Sequence, residues 1–198
     1  MLNKHPVANN TYFRSNGYLA DDLIQSSDGG QFLITDLPGF LRTLLVADGT
    51  VTKTLEAWFW EPVSVTPLRQ AIKILVADLP ELEAEAGDEV LEREVCLTGG
   101  ESQQHYACAR SVLAINQLSV EMRTALLEGR MGIGELLREQ GVETYREIVA
   151  LDYIRKGSTQ DEILNTFSDD LVSRSYRIRV GGVPAILVTE YFPVGTYR

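Results

Sequence analysis

Three charged side chains in this sequence keep apolar company, and a guanidinium or carboxylate on the covered side of a sheet is a group that can hold a ligand. In "LEREVCL", residues 91–97, strand alternation places Arg93 with Leu91, Val95 and Leu97, while Glu92, Glu94 and Cys96 share the other row. Glu190 alternates with Ile186, Val188 and Phe192, and Arg110 with Tyr106, Cys108 and Val112. The same test puts Arg177 and Arg179 opposite Tyr176, Ile178 and Val180, towards solvent. Arg69 is in phase with Val63 and Val65, across a Pro67 that marks an edge or a bulge. Two arginines and one glutamate on a covered face can neutralise one another, although desolvating each ion is costly and apolar residues would often be as stable. Alternatively, spare guanidinium donors line a pocket and wait for a carboxylate, which the planar fork of arginine matches bidentately. The residues alone leave both outcomes open: internal pairing, or an anion-binding pocket.

The elements that must position these groups are short strands and a few helices. "VTKTLEAWFW", "VSVTPLRQAI", "EVLEREVCLT" and "QQHYACARSVLA" are strand-like in their β-branched and aromatic content, with "TGGES" as the hairpin turn between the last two. "VETYREIVALDYI" is a further strand, and "SRSYRIRVGGVPAILVTEYF" two strands joined by Gly181 and Gly182. Helices are expected over "LPGFLRTLLVADG", closed by Gly49, over "LSVEMRTALLEG", and over "MGIGELLREQG". A further helix is expected in "STQDEILNTFSDDL", where Thr159 and Glu162 have the spacing of a capping box. Residues 1–36, rich in Asn, Ser, Gly and Asp, read as an irregular arm with limited helix around Leu19 to Ile24, and residues 37–198 as the domain. The expected class is α+β: one domain, an antiparallel sheet of about six strands covered by helices.

Composition narrows the function. Over 198 residues, 18 Lys and Arg stand against 28 Asp and Glu, a net charge of −10 that repels nucleic acid and anionic membranes. No apolar run is long enough to span a bilayer and the opening "MLNKHPVANN" has no secretory pattern, so a soluble, cytoplasmic protein is expected. Two cysteines and two histidines are too few and too scattered for a metal site of recognisable spacing, and Cys96 and Cys108 read as two buried thiols.

The order of the motifs resembles the chorismate lyase family. "DGTVTKTLE" is similar to its early Thr-Lys strand, "VSVTPLRQ" to the next strand, and "LEREVCLTGG" to its Leu-Arg-Glu strand and hairpin. "ACARSVLA" resembles its Ala-Gly-Arg-Thr-Val-Val-Pro segment, "MGIGELL" its Pro-Leu-Gly helix entrance, and "RIRVGGVPAILVTEYF" its closing hairpin. The likeness runs in register over about residues 40–198. The arm and the stretch 156–172 are longer than the compact bacterial form, like the cyanobacterial-type variant associated with plastoquinone. The sequence departs from the family at Gly132, where Pro is usual, at Ala109, often Gly, and at Val51, commonly Met.

The resemblance implies a cofactor-free lyase that converts chorismate to 4-hydroxybenzoate and pyruvate for quinone (plastoquinone or ubiquinone) biosynthesis, with inhibition by its product. It makes Arg93 the anchor of the ring carboxylate and Glu190 the partner of the ring hydroxyl, as acid or base or only as its orienter. Ile133 supplies a backbone contact, Val51 lines the pocket, and Arg110 lies near its mouth. Counting Arg93 and Arg110 against two substrate carboxylates leaves Glu190 as surplus negative charge, which favours its protonated form in the complex. The alternative is a non-catalytic sensor of small aromatic acids, since the fold resembles a regulator's ligand-binding domain.

Overall fold

Alternating apolar stretches fold into strands, and tight turns make their neighbours antiparallel. The computed structural model describes residues 23–198 apart from Ser27, Gly129 and Arg130. In chain order the elements are β1 (Leu23–Gln25), β2 (Gln31–Leu33), α1 (Gly39–Val46), α2 (Val51–Phe59), β3 (Val63–Ile74), β4 (Glu89–Gly99) and β5 (His105–Leu113). They continue with α3 (Val120–Glu128), α4 (Ile133–Glu139), β6 (Thr144–Ile154), β7 (Leu171–Val180) and β8 (Val183–Pro193). β1 and β2 form a small hairpin; the other strands make one six-stranded antiparallel sheet in the order β3-β4-β5-β8-β7-β6. The α+β architecture is the expected one. The Gly181–Gly182 turn has φ of 59° and 86°, the two positive angles that a two-residue hairpin matched to strand twist requires.

Three elements differ from the sequence reading. "VTKTLEAWFW" is the helix α2, not a strand: Val51 and Leu55 are buried and Phe59 packs on the same cluster, a stripe at intervals of four that outweighs the β-branched composition. Truncating Leu55 there would cost about 2–5 kcal/mol. The expected helix at 159–172 shrinks to a single turn, Leu164–Thr166. Thr159 Oγ1 accepts the Asp161 amide rather than that of Glu162, and Asp161 caps Ile163 and Leu164 while its other oxygen pairs with Arg110. A tertiary ion pair has taken the residue that a longer helix would have needed. The helix expected around Leu19 to Ile24 lies mostly outside the described residues, and its last positions open β1 instead. Ile24 and Ile34 are buried in the same cluster as Leu41 and Leu44, so the hairpin is packed on the sheet.

The helices lie on one face of the sheet. At one end α1 and α2 cover Leu97, Ala107, Val172 and Phe192; at the other, Met122, Leu126, Leu136 and Leu137 of α3 and α4 cover Leu91, Leu113, Ile178 and Ile186. The opposite face carries a smaller cluster under residues 154–171, where Ile154, Leu164, Phe167 and Leu171 pack around Cys96 and Cys108. The two cysteines face each other in β4 and β5, with Cα atoms 4.0 Å apart, and are joined in a disulfide. This corrects the reading of two separate thiols: register brings them together, and spacing alone does not reveal register. No helix among the described residues is long and apolar enough to cross a membrane.

Candidate active site

Between the two helix pairs the covered face is left open at mid-sheet, and a cavity of about 360 Å³ occupies the gap, within the size range of small-molecule sites. Its floor comes from β4, β5, β8 and β7; the first turns of α2 and α4 close over it, contributing Val51 and Ile133. Ile133 opens α4 behind Gly132, which offers no side-chain cap, so its amide has no acceptor within the helix.

Arg93 rises from the floor in register with Ser111 of β5 and is 3% exposed. Its Nη2 donates to the Met131 carbonyl at 3.1 Å, while its Nε is buried with no acceptor. Among the described residues no acidic side chain pairs with it. Burial holds its pKa below the usual arginine value, yet a guanidinium keeps its proton in proteins, so the site contains a desolvated cation with donors to spare.

Glu190 stands on β8, one row along and two strands away, and is 6% exposed. Arg174 of β7, directly opposite, donates to its Oε2 from Nε at 3.1 Å and Nη2 at 2.7 Å, and Tyr176 donates its hydroxyl to Oε1 at 3.0 Å. The remaining nitrogen of Arg174, Nη1, donates to the carbonyls of Leu44 and Ala47, at the end of α1, where carbonyls lose the donors of a continuing helix. Burial first, then the Glu190 charge, push the Tyr176 phenol above its ordinary pKa and keep it a donor.

Of the five residues singled out in the sequence, Val51, Arg93, Ile133 and Glu190 line this cavity and Arg110 does not. Arg110 lies on the opposite face, where its Nε donates to Glu94 at 2.9 Å and its Nη1 pairs with Asp161. The cause is a bulge: Leu97 pairs with Ala107 and Thr98 with His105, so Tyr106 and Ala107 both enter the α1–α2 core and the phase read from Tyr106 does not carry on to Arg110. The charge count changes with it. Glu190 is not surplus, because Arg174, which the parity test passed over, is its counter-ion. The signal was present, since Arg174 is in phase with Val172, Tyr176 and Ile178, all buried.

Fold and cavity together define a one-sided antiparallel α+β domain with a ligand-sized site under its helices. Solved structures share the fold: the effector domain of PhnF from Mycobacterium smegmatis matches with a TM-score of 0.56 at 13% identity, over 75% of this chain and 90% of that one. The gene product SA0254 from Staphylococcus aureus matches with a TM-score of 0.54 at 12% identity, over 77% and 92%. At such identities the likeness is one of fold. The family is given by sequence: residues 45–198 match the description "chorismate pyruvate-lyase Rv2949c-like", and the chain belongs to that family of enzymes. A chorismate pyruvate-lyase of Mycobacterium leprae is 31% identical over 156 residues, 77% of this chain and 73% of its own length. One of Mycobacterium tuberculosis is 29% identical over 165 residues, 80% and 81%.

Proposed function

We propose that this protein converts chorismate to 4-hydroxybenzoate and pyruvate, with Arg93 holding the ring carboxylate and Glu190 the ring hydroxyl. The observation that carries the reading is the enclosed Arg93 guanidinium, without an acidic partner among the described residues, beside a carboxylate that is already neutralised. A permanent cation facing a cavity is satisfied by an anion that enters it. The Ile133 amide adds a neutral donor and Val51 an apolar wall.

In the reaction the ether C–O bond breaks, the hydrogen on the hydroxyl-bearing carbon moves to the methylene carbon of the enolpyruvyl group, and the ring becomes aromatic. Atoms and electrons balance without water or an external oxidant. The protein's share is to bind the conformer that aligns the breaking bond, the migrating hydrogen and its acceptor. With Oε2 held by Arg174, Glu190 acts as a fixed acceptor for the substrate hydroxyl and orients the ring between itself and Arg93. A product held at both ends in a covered cavity leaves slowly, so 4-hydroxybenzoate inhibits. Its downstream use is the aromatic head group of a quinone such as plastoquinone or ubiquinone.

Incubating the purified protein with chorismate tests this directly, with pyruvate and 4-hydroxybenzoate expected in equal amounts. The regulator-like fold favours a second reading, a non-catalytic sensor of aromatic acids, and binding of 4-hydroxybenzoate with no turnover of chorismate would establish it. Pyruvate accompanied by a different hydroxybenzoate would keep the lyase and replace its specificity.

A further inference from the structure

A second guanidinium without an acidic partner among the described residues, that of Arg146, lines the cavity. Arg146 lies on the edge strand β6, in the row Arg146–Ile178–Ile186–Leu113–Leu91. That row is two residues to one side of Arg93, whereas Glu190, in register with Ala109 and Val95, is two residues to the other side. β4 and β6 are four ladders apart, about 19 Å along the sheet at the usual strand spacing. Arg93 and Arg146 therefore reach into the cavity from its two sides, and Arg146 stands off the line that joins Arg93 to Glu190.

Arg146 is as unpaired as Arg93. Its Nη1 donates to the Asp48 carbonyl, its Nε is buried without an acceptor, and among the described residues no acidic side chain pairs with it. The other cations at the cavity are accounted for: Arg174 is neutralised by Glu190, Lys53 pairs with Glu56 at 2.7 Å, and Arg138 is exposed to solvent. Among the described residues that line the cavity, the buried Arg93 and the half-buried Arg146 are left as positive charges with no acidic partner. A hydroxybenzoate brings one carboxylate. Chorismate brings two, the second on the enolpyruvyl ether at the carbon next to the hydroxyl-bearing carbon, which is a position off the carboxylate-to-hydroxyl axis.

We propose that Arg146 is the receptor for the second carboxylate of the substrate. The site then reads a dianion when chorismate enters and retains a monoanion after the reaction, while the other carboxylate departs with pyruvate. By fixing the enolpyruvyl group, Arg146 also holds the methylene carbon towards the migrating hydrogen. This assignment rests on the lyase reading, and separates substrate from product: Arg93 serves both, Arg146 only the substrate.

Arg146→Gln should lower kcat/KM for chorismate by roughly 30-fold or more, with the Kd of 4-hydroxybenzoate, measured by calorimetry, within about threefold of the parent. Arg146→Lys, which keeps the charge and a donor for Asp48, should recover part of the loss. On the unaltered protein, 3-(carboxymethoxy)-4-hydroxybenzoate should bind at least about tenfold more tightly than 4-hydroxy-3-methoxybenzoate, which lacks the second carboxylate. Equal affinities for those two acids overturn the assignment. So does an Arg146→Gln variant that turns chorismate over like the parent, or one that loses product affinity in step with turnover, the mark of a merely structural bond to Asp48. If the unaltered protein does not turn chorismate over, the lyase reading fails first and takes this assignment with it.

Discussion

Arg174 and Glu190 face each other across the β7–β8 pair with two nitrogens of the one donating to a single oxygen of the other, at 3.1 and 2.7 Å, in a site where the arginine is 1% exposed. This pair links the carboxylate of the cavity to the last carbonyls of α1, so the geometry of the site and the anchoring of a helix depend on one guanidinium.

Arg174→Met should therefore destabilise the protein by about 3–5 kcal/mol, the usual cost of leaving one member of a buried ion pair alone. The urea midpoint would show it. Replacing both residues by Met should restore most of the stability but not turnover, and a double variant as unstable as Arg174→Met would refute the pairing account.

Arg93 should behave in the opposite way. Its Nε is buried and unsatisfied, so Arg93→Met removes a costly desolvated charge and should leave the urea midpoint unchanged or higher. The same change should cost on the order of 2–5 kcal/mol in transition-state binding, read as kcat/KM for chorismate, and should weaken 4-hydroxybenzoate binding as well. A variant both less stable and nearly as active would show that the residue is structural.

Acid should loosen the end of α2. Glu61 accepts the Tyr106 hydroxyl and the amides of Ser102 and Glu101, tying that end to the β4–β5 turn, and these donors hold its carboxyl at about 2 against an ordinary 4.5. A depressed folded-state pKa means stability that is present above pH 4.5 and is lost as pH falls towards about 2. Comparing urea midpoints of the parent and Glu61→Gln across that window should show a steeper decline in the parent. Parallel curves would contradict it.

The disulfide offers a test on the other face. Cys96 and Cys108 close a short loop, so reduction or Cys108→Ala should cost about 2–3 kcal/mol of stability. Because both lie in the cluster away from the cavity, kcat/KM should change by less than about twofold. Thiol titration of the unfolded protein with and without reductant would establish the bond, and free thiols in both would exclude it.

The sequence by itself determined the α+β class, the strands β3 to β8, the tight glycine turn, and the inward orientation of Arg93 and Glu190. Alternation is a local property, written into each strand by which neighbours share its face. Only the tertiary structure decided that Arg110 belongs to the far side, because one unpaired residue at Tyr106 reverses the phase and a bulge exists only between two strands. It also decided the partners. Glu190 meets Arg174, Cys96 meets Cys108, Asp161 abandons a helix for Arg110, and Arg146 comes to the cavity from an edge strand, all through register between segments distant along the chain. The stripe of Val51, Leu55 and Phe59 was legible, yet it competed with β-branched composition, and packing against the core settled it as helix. Direction of side chains is encoded residue by residue; pairing is set only when strands align and the charges that face inward find, or fail to find, a counter-ion.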